Sequence, residues 1–496
     1  MRLMPKFDLV VIGGGSGLNV AAYAAKKGLS VAVIEAGPLG GTCLNRGCIP
    51  SKMLIESAEV AETIKRSSVW GIQSQLTGVD FPAIMKRTAD FVDEEAAGIE
   101  EAIAANPKYT LYKHFARFTG PKKLMVGKEE VEGEKIVIAA GTRPAVPPIQ
   151  GLEKTAYQTS DTVFRLTKQP KHVVFIGGGY ISCEMAHFFG GLGSEVTIID
   201  RGNVLISNED EEVANKFTEL FGKKYRLILN AAVNKVSGPP PGQDGEVSVE
   251  VKVGEETKTI TGDLLFVAVG RVPNTDTLGC KEVGISLNER GFVSVNEYME
   301  TNVPGVWALG DVVGKVPFKH GANWEAKYVT FNAIDKKNTP VDYRAMPHAV
   351  YSSPQVAGVG LREQDLSAKG ESPPDGRAGA SGVKEAGYVV GRYDYIKTGM
   401  GKAIEDQDGF VKILVDRATK KIVGAHILGT NASVLIHEIV VAMKAADDDL
   451  GAIKNSVHIH PALSEVVQRA ANSVSFKETR PEQKKTLMER TTDQEI

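Results

Sequence analysis

A short apolar strand that runs directly into a glycine cluster, and from there into a helical run, occurs twice in this chain. In the first copy Phe7-Asp8-Leu9-Val10-Val11-Ile12 reads as a buried strand, apolar and β-branched. Gly13-Gly14-Gly15-Ser16-Gly17 follows, then an Ala-rich helix from about Asn19 to Lys27, closed by Gly28. A second strand, Ser30 to Ile34, finishes at Glu35. Such a β-α-β unit could be a plain α/β turn, but with strand, glycines, helix and terminal acid all in place it reads as a dinucleotide cradle. Gly13 permits the tight turn, Gly15 lets the backbone approach a pyrophosphate at the helix N-terminus, and Glu35 can accept from a ribose hydroxyl pair. Leu18 stands at the third glycine position, so the helix is expected to sit slightly farther from the strand.

The second copy begins with His172-Val173-Val174-Phe175-Ile176, turns at Gly177-Gly178-Gly179, and continues as a helix from Tyr180 to Gly190. Its next strand, Glu195 to Ile199, is closed by Asp200, and Ser182 replaces the third glycine. Two dinucleotide sites in one chain suit the passing of electrons between two cofactors. Asp200 would pair with a free ribose hydroxyl and repel a phosphate, which favours NAD over NADP, and the adjacent Arg201 reads as a solvated surface charge.

Between the two units lies GGTCLNRGCIPSK, Gly40 to Lys52, with two of the four cysteines, Cys43 and Cys48. Two thiols beside a bound nucleotide suggest a redox pair. They could instead be unrelated buried thiols, since free Cys packs as a small hydrophobe. A structural staple gains little, because a bridge closing so short a loop contributes only about 2 kcal/mol. The spacing is also wrong for a zinc knuckle.

Composition narrows the setting. At 496 residues, 42% hydrophobic and 24% charged, the chain has the make-up of a soluble enzyme of roughly three domains. A net charge of -3 argues neither for nucleic acid nor for an anionic membrane surface, and neither is expected as a partner. Four cysteines in so long a chain point to a reducing, cytoplasmic compartment rather than a stapled secreted protein. Leu9 to Ala25 could pass for a signal-peptide core, but Asp8 replaces the basic flank and glycines interrupt the run.

Together with Ala308-Leu309-Gly310-Asp311 and His458-Ile459-His460-Pro461-Ala462-Leu463-Ser464-Glu465, these motifs resemble the pyridine nucleotide-disulfide oxidoreductases, over about Phe7 to Phe476. The resemblance implies an α/β fold with two Rossmann-like domains, for FAD and for NAD, plus a C-terminal α+β dimerisation domain. Its implied boundaries are 1–150 and 280–346 for the FAD side, 151–279 for the NAD domain and 347–476 for dimerisation. It implies that Cys43 and Cys48 form the redox disulfide, with Cys48 nearer the flavin and Cys43 exchanging with substrate. Lys52 would approach the flavin ring, Asp311 its sugar-alcohol chain, and Glu184 would stand near Lys52 and the nicotinamide. Gly270, in Gly270-Arg271-Val272-Pro273-Asn274, would mark the hand-back to the FAD side.

His460 would be the general base and Glu465 its orienting partner, with Pro461 opening a helix and the base contributed across a homodimer. A base is needed because the thiolate, not the thiol, is the nucleophile in disulfide exchange, and imidazole suits that task near neutral pH. His458 reads as solvent-facing or structural, and His437-Glu438 lacks the second His of a metal motif.

Within the family, Ile49-Pro50-Ser51-Lys52 and Asp200 resemble the dihydrolipoyl dehydrogenase branch, whose substrate arrives on a lipoyl-bearing subunit of a 2-oxoacid dehydrogenase or related complex. IHPALSEVV and Met53-Leu54 resemble the mycothione-type, low-molecular-weight disulfide reductases as well. Lys52 to about Asn106 reads as two long helices, Val131 to Ala140 as a strand, Gly141 to Pro144 as a turn and Ser237 to Gly245 as a surface loop. Cys183 and Cys280 read as packed thiols, Gly370 to Ala386 as an inserted loop and the tail from Lys477 as disordered.

Overall fold

The computed structural model describes residues 4–367, 387–445 and 449–476; the inserted loop from Gly370 to Ala386 and the tail from Lys477 lie outside them. The first unit contains β1 (Lys6–Ile12), α1 (Gly17–Lys26) and β2 (Val31–Ile34). After it come α2 (Gly41–Arg46), α3 (Cys48–Arg66) and α4 (Phe81–Ala104), then β3 (Tyr109–Tyr112) to β6, through β4 (Ala116–Gly120), β5 (Lys123–Val126) and β6 (Glu129–Ile138). The strands assemble in the order β3-β2-β1-β6-β5-β4, parallel from β3 to β6 and antiparallel beyond. Leu9, Val10 and Val11 are fully buried, as a parallel strand covered on both faces requires.

Helix α1 does not sit away from the sheet. A Cβ on Gly17 would lie 2.7 Å from Val11 Cγ1 and 2.9 Å from the Ala139 methyl, so Gly17 provides the close approach that Leu18 was expected to forfeit. Leu18 is half-buried against the same core. The stretch read as a turn at Gly141 to Pro144 contains a short strand, β7 (Thr142–Pro144).

The second unit is β8 (His172–Ile176), α5 (Tyr180–Gly191) and β9 (Glu195–Ile199), followed by α6 (Glu211–Lys224) and β10 (Arg226–Ile228). An antiparallel meander of β11 (Ala231–Ser237), β12 (Val247–Val253) and β13 (Glu256–Gly262) intervenes before β14 (Leu264–Val267) completes the parallel sheet β10-β9-β8-β14. Next, β15 (Arg271–Pro273) pairs antiparallel with β7, and β16 (Val306–Ala308) returns to the first sheet beside β6. The chain thus leaves the first sheet and comes back to it, with the second unit inserted between.

Helix α7 (Lys319–Val329) packs on α1. The C-terminal part is an antiparallel sheet of β17 (Pro347–Val350), β18 (Val356–Gly360), β19 (Tyr388–Asp394), β20 (Phe410–Asp416) and β21 (Ile422–Leu428), ordered β17-β18-β21-β20-β19. Helices Ala432–Ala445 and Glu465–Ser473 contribute apolar faces to its core. Pro461 does not open the last helix; it follows His460 in an irregular turn, and the helix starts at Glu465. No helix among the described residues is long and apolar enough to cross a membrane.

Candidate active site

Both glycine turns, the cysteine helices and part of the C-terminal sheet face one cleft of about 2700 Å³. At its first end Gly13 has φ +110°, and a Cβ there would lie 2.2 Å from the Ala139 carbonyl oxygen, so only glycine fits. Glu35 accepts from the Gly14 and Gly37 N–H groups, each at 2.8 Å, which fixes its carboxylate at the tip of β2. The second turn repeats this. Gly177 has φ +104°, with a Cβ position 2.4 Å from the Ala268 carbonyl oxygen, and Asp200 accepts from the Gly178 and Gly202 N–H groups at 2.6 Å each. A Cβ on Gly179 would meet nothing within 4 Å, leaving that turn's face open.

The cysteine segment is clamped onto the first turn. Gly40 N–H donates to the Gly14 carbonyl at 2.8 Å, and a Cβ on Gly41 would come within 2.7 Å of Gly15 Cα. Helix α2 therefore starts against the glycine turn and carries Cys43, while Cys48 is the first residue of α3. Cys43 and Cys48 are free, half-buried thiols hydrogen-bonded to each other.

The hydrogen bond from Cys43, aided by the nearby Lys52 charge, outweighs burial and brings Cys48 down to about 7. Its place at a helix N-terminus favours the thiolate further. The same hydrogen bond, together with burial, pushes Cys43 well up. Of the two thiols, Cys48 is the one whose surroundings favour the thiolate. Cys183 and Cys280 are buried, and burial raises both thiols.

Lys52, one turn beyond Cys48, forms a two-point ion pair with Glu184 of α5, at 2.8 and 2.9 Å. The Tyr351 ring lies 4.4 Å from its ammonium, and the Tyr351 N–H donates to Glu184 at 3.0 Å. One pair of charges therefore joins the cysteine helix to the second nucleotide unit. Asp311 lines the cleft and accepts from Thr142 Oγ1 at 3.0 Å; Arg271 clasps Thr142 through its hydroxyl and carbonyl, each at 2.7 Å. Gly270, just before β15, also lines the cleft.

The structure does not bring His460 to the cysteines within one protomer. Its Nδ1 meets Glu465 at 3.0 Å, and Glu465 also accepts from the Ala462 N–H at 3.2 Å. The His460 side chain is 75% exposed and outside the cleft lining, with Val457 and Ile459 beside it 100% and 78% exposed. His458 is instead held by Glu438 at 2.6 Å and by the Ser456 carbonyl, a structural histidine. Among the described residues there is no cluster of His, Cys, Asp or Glu able to hold a metal ion.

Sequence reasoning missed several groups in the cleft or behind it. Glu325, fully buried on α7, accepts from the Gly310 N–H at 2.6 Å and the Tyr343 hydroxyl at 2.7 Å, and burial raises it to about 7. Glu209, also fully buried, would be raised by burial, but His348 at 2.8 Å and the Tyr180 hydroxyl hold it down to about 2. No local pattern reveals these, because each partner is far away in sequence.

Residues 7–326 match the model of the pyridine nucleotide-disulphide oxidoreductases, and residues 346–471 match the dimerisation domain of the same group. The chain belongs to this family. Pyridine nucleotide-disulphide oxidoreductases similar to it include mycothione reductase of Mycobacterium tuberculosis, 36% identical over 481 residues, 94% of this chain and 99% of that one. Dihydrolipoyl dehydrogenase of Cupriavidus necator is 34% identical, over 95% of this chain and 98% of its own. Among solved structures, the Cu(II) complex of the HOCl-induced flavoprotein disulfide reductase RclA from Escherichia coli superposes with a TM-score of 0.81 at 27% identity, covering 95% and 99% of the two chains.

Family membership supports FAD and a pyridine nucleotide as cofactors, and the dimerisation domain supports a homodimer. The first turn fits the flavin dinucleotide: its glycines leave no side chain between backbone and cleft, and Glu35 stands ready at the strand tip.

Proposed function

We propose that the protein is a dihydrolipoyl dehydrogenase, oxidising protein-bound dihydrolipoamide with NAD in the cytoplasm. The observation that carries the reading is the Lys52–Glu184 pair, which ties the Cys48 helix to the helix of the second nucleotide unit. The flavin, when bound in the first unit, supplies two-electron transfer between a dithiol and the nicotinamide. Gly13, Gly15, Glu35 and Asp311 would hold it, with Lys52 beside its ring; Gly177, Gly179, Asp200, Glu184 and Gly270 would serve the nicotinamide nucleotide.

In the oxidised enzyme Cys43 and Cys48 are joined. His460 of the partner subunit takes the proton of one substrate thiol, and Glu465 holds the imidazole by its other nitrogen. The substrate thiolate attacks Cys43, and Cys48 leaves as a thiolate, the form that its surroundings favour. The second substrate sulfur then displaces Cys43, closing the substrate disulfide and leaving the enzyme dithiol. Asp200, both of whose oxygens are already ordered by N–H groups, offers acceptors for a ribose hydroxyl and repels a phosphate there, which supports NAD.

A second reading is an NADPH-dependent reductase of a low-molecular-weight disulfide of the mycothione or glutathione type, favoured by the 36% identity to mycothione reductase. Steady-state assays separate the two. Dihydrolipoamide oxidation with NAD is expected; negligible turnover there, with brisk NADPH-driven reduction of a small disulfide, would favour the second.

A further inference from the structure

The turn Gly13–Gly17 contains no charged residue. A bound dinucleotide brings a diphosphate to it, and the N-terminus of α1 answers with only about half a unit of positive charge. A full positive charge nevertheless stands at this point. Lys319, the first residue of α7, donates from Nζ to Ser16 Oγ at 3.0 Å. Ser16 is almost buried, and its hydroxyl donates to Asn323 Oδ1 at 2.9 Å, which also accepts from Asn19 Nδ2 at 3.0 Å. Lys319 and Asn323 lie one helical turn apart, so one face of α7 is directed at the start of α1.

Among the described residues Lys319 has no carboxylate partner; its hydrogen bond is to a neutral hydroxyl. It also occupies the electrostatically wrong end of its helix, where a cation is disfavoured, and it points at the positive end of another. An anion at this spot would offset both. Lys319 lines the cleft, and its charge acts on Cys43, opposing the rise of that thiol.

We propose that Lys319 is the side-chain cation of the first nucleotide site, pairing with the diphosphate where the Gly13–Gly17 turn meets α7. The inference rests on FAD occupying the first unit. It assigns to the second part of the FAD side a direct share in binding the phosphates, across more than three hundred residues of chain.

The test titrates FAD into full-length apoprotein, followed by flavin fluorescence, for wild type, Lys319→Met and Lys319→Arg over a range of potassium chloride. Losing a charge-assisted hydrogen bond should raise the FAD dissociation constant about 10- to 100-fold in Lys319→Met. Lys319→Arg should stay within about threefold of wild type, because the charge is retained. The salt dependence of binding should be shallower in Lys319→Met than in wild type. Binding by Lys319→Met within about twofold of wild type, an unchanged salt dependence, or equal losses in Met and Arg would each overturn the proposal. Wild-type protein that takes up no flavin would overturn the underlying assignment, and this inference with it.

Discussion

Glu35 and Asp200 occupy equivalent points in the two nucleotide units, each pinned by the N–H of the middle glycine and by that of a glycine two residues on. The likeness continues past the strands. Leu39 lies over Gly14 as Leu205 lies over Gly178, and the N–H groups of Gly40 and Ile206 reach the Gly14 and Gly178 carbonyls, both at 2.8 Å. Only then do the units part. In the first, Gly41 presses onto Gly15 and Cys43 follows; in the second, Ser207-Asn208-Glu209-Asp210 follows and the face of Gly179 stays open. One cradle thus serves two purposes, and the few residues after the shared plan decide which. The covered turn puts sulfur next to its nucleotide, whereas the open one suits a nucleotide that comes and goes.

Removing the sulfur should leave the first unit no more reactive than the second. Cys48→Ser should lower dithiol turnover by at least about a thousandfold, while binding of the nicotinamide nucleotide, followed by calorimetry, stays at the wild-type level. Next come the turns. Gly13→Ala and Gly177→Ala each force a Cβ to within 2.4 Å or less of a carbonyl oxygen, so each should abolish binding at its own unit. Flavin retained by Gly13→Ala, or nicotinamide nucleotide bound normally by Gly177→Ala, would show that the two turns do not work alike.

Glu209→Gln tests the point of divergence. Removing the buried charge that faces His348 should cost about 3 kcal/mol in urea unfolding, and no stretch of the first unit should respond in the same way. The acid limb of the unfolding profile carries the same signature. The folded state depresses Glu209, so its contribution is fully present above the unfolded carboxylate range and is lost as pH falls toward about 2. The smallest effect concerns Cys48. In the reduced enzyme, alkylation by iodoacetamide should rise through a pH of about 7, and Lys52→Met should move that rise upward by roughly one pH unit. An unmoved profile would leave the Cys43 hydrogen bond and the helix N-terminus, without the Lys52 charge, as the causes.

Much of this arrangement was legible in the sequence because its signals are local. Strand, glycine turn, helix and terminal acid follow within some thirty residues in each unit, and Cys43 and Cys48 share one short segment. The closeness of Lys52 and Glu184 follows only from family resemblance, since 132 residues separate them, yet their side chains meet in the fold. The wider spacing expected from Leu18 fails because the fingerprint counts positions, whereas the close approach is made at Gly17, opposite the strand's Val11. Glu325, Lys319 and the Glu209–His348 pair were invisible because burial and distant partners, not neighbouring residues, give them their character. Pro461 looked like a helix start on composition, but the carboxylate of Glu465 turns back to hold His460 and the Ala462 N–H, and the helix begins after that knot.

The contact of Gly41 with Gly15 has a consequence for how such a molecule can change. With two bare α-carbons meeting, no methyl can be added at Gly41 without moving one helix start. A change in what the thiols react with is therefore most easily made on the opposite wall of the cleft, where it leaves the seam between thiols and cradle untouched.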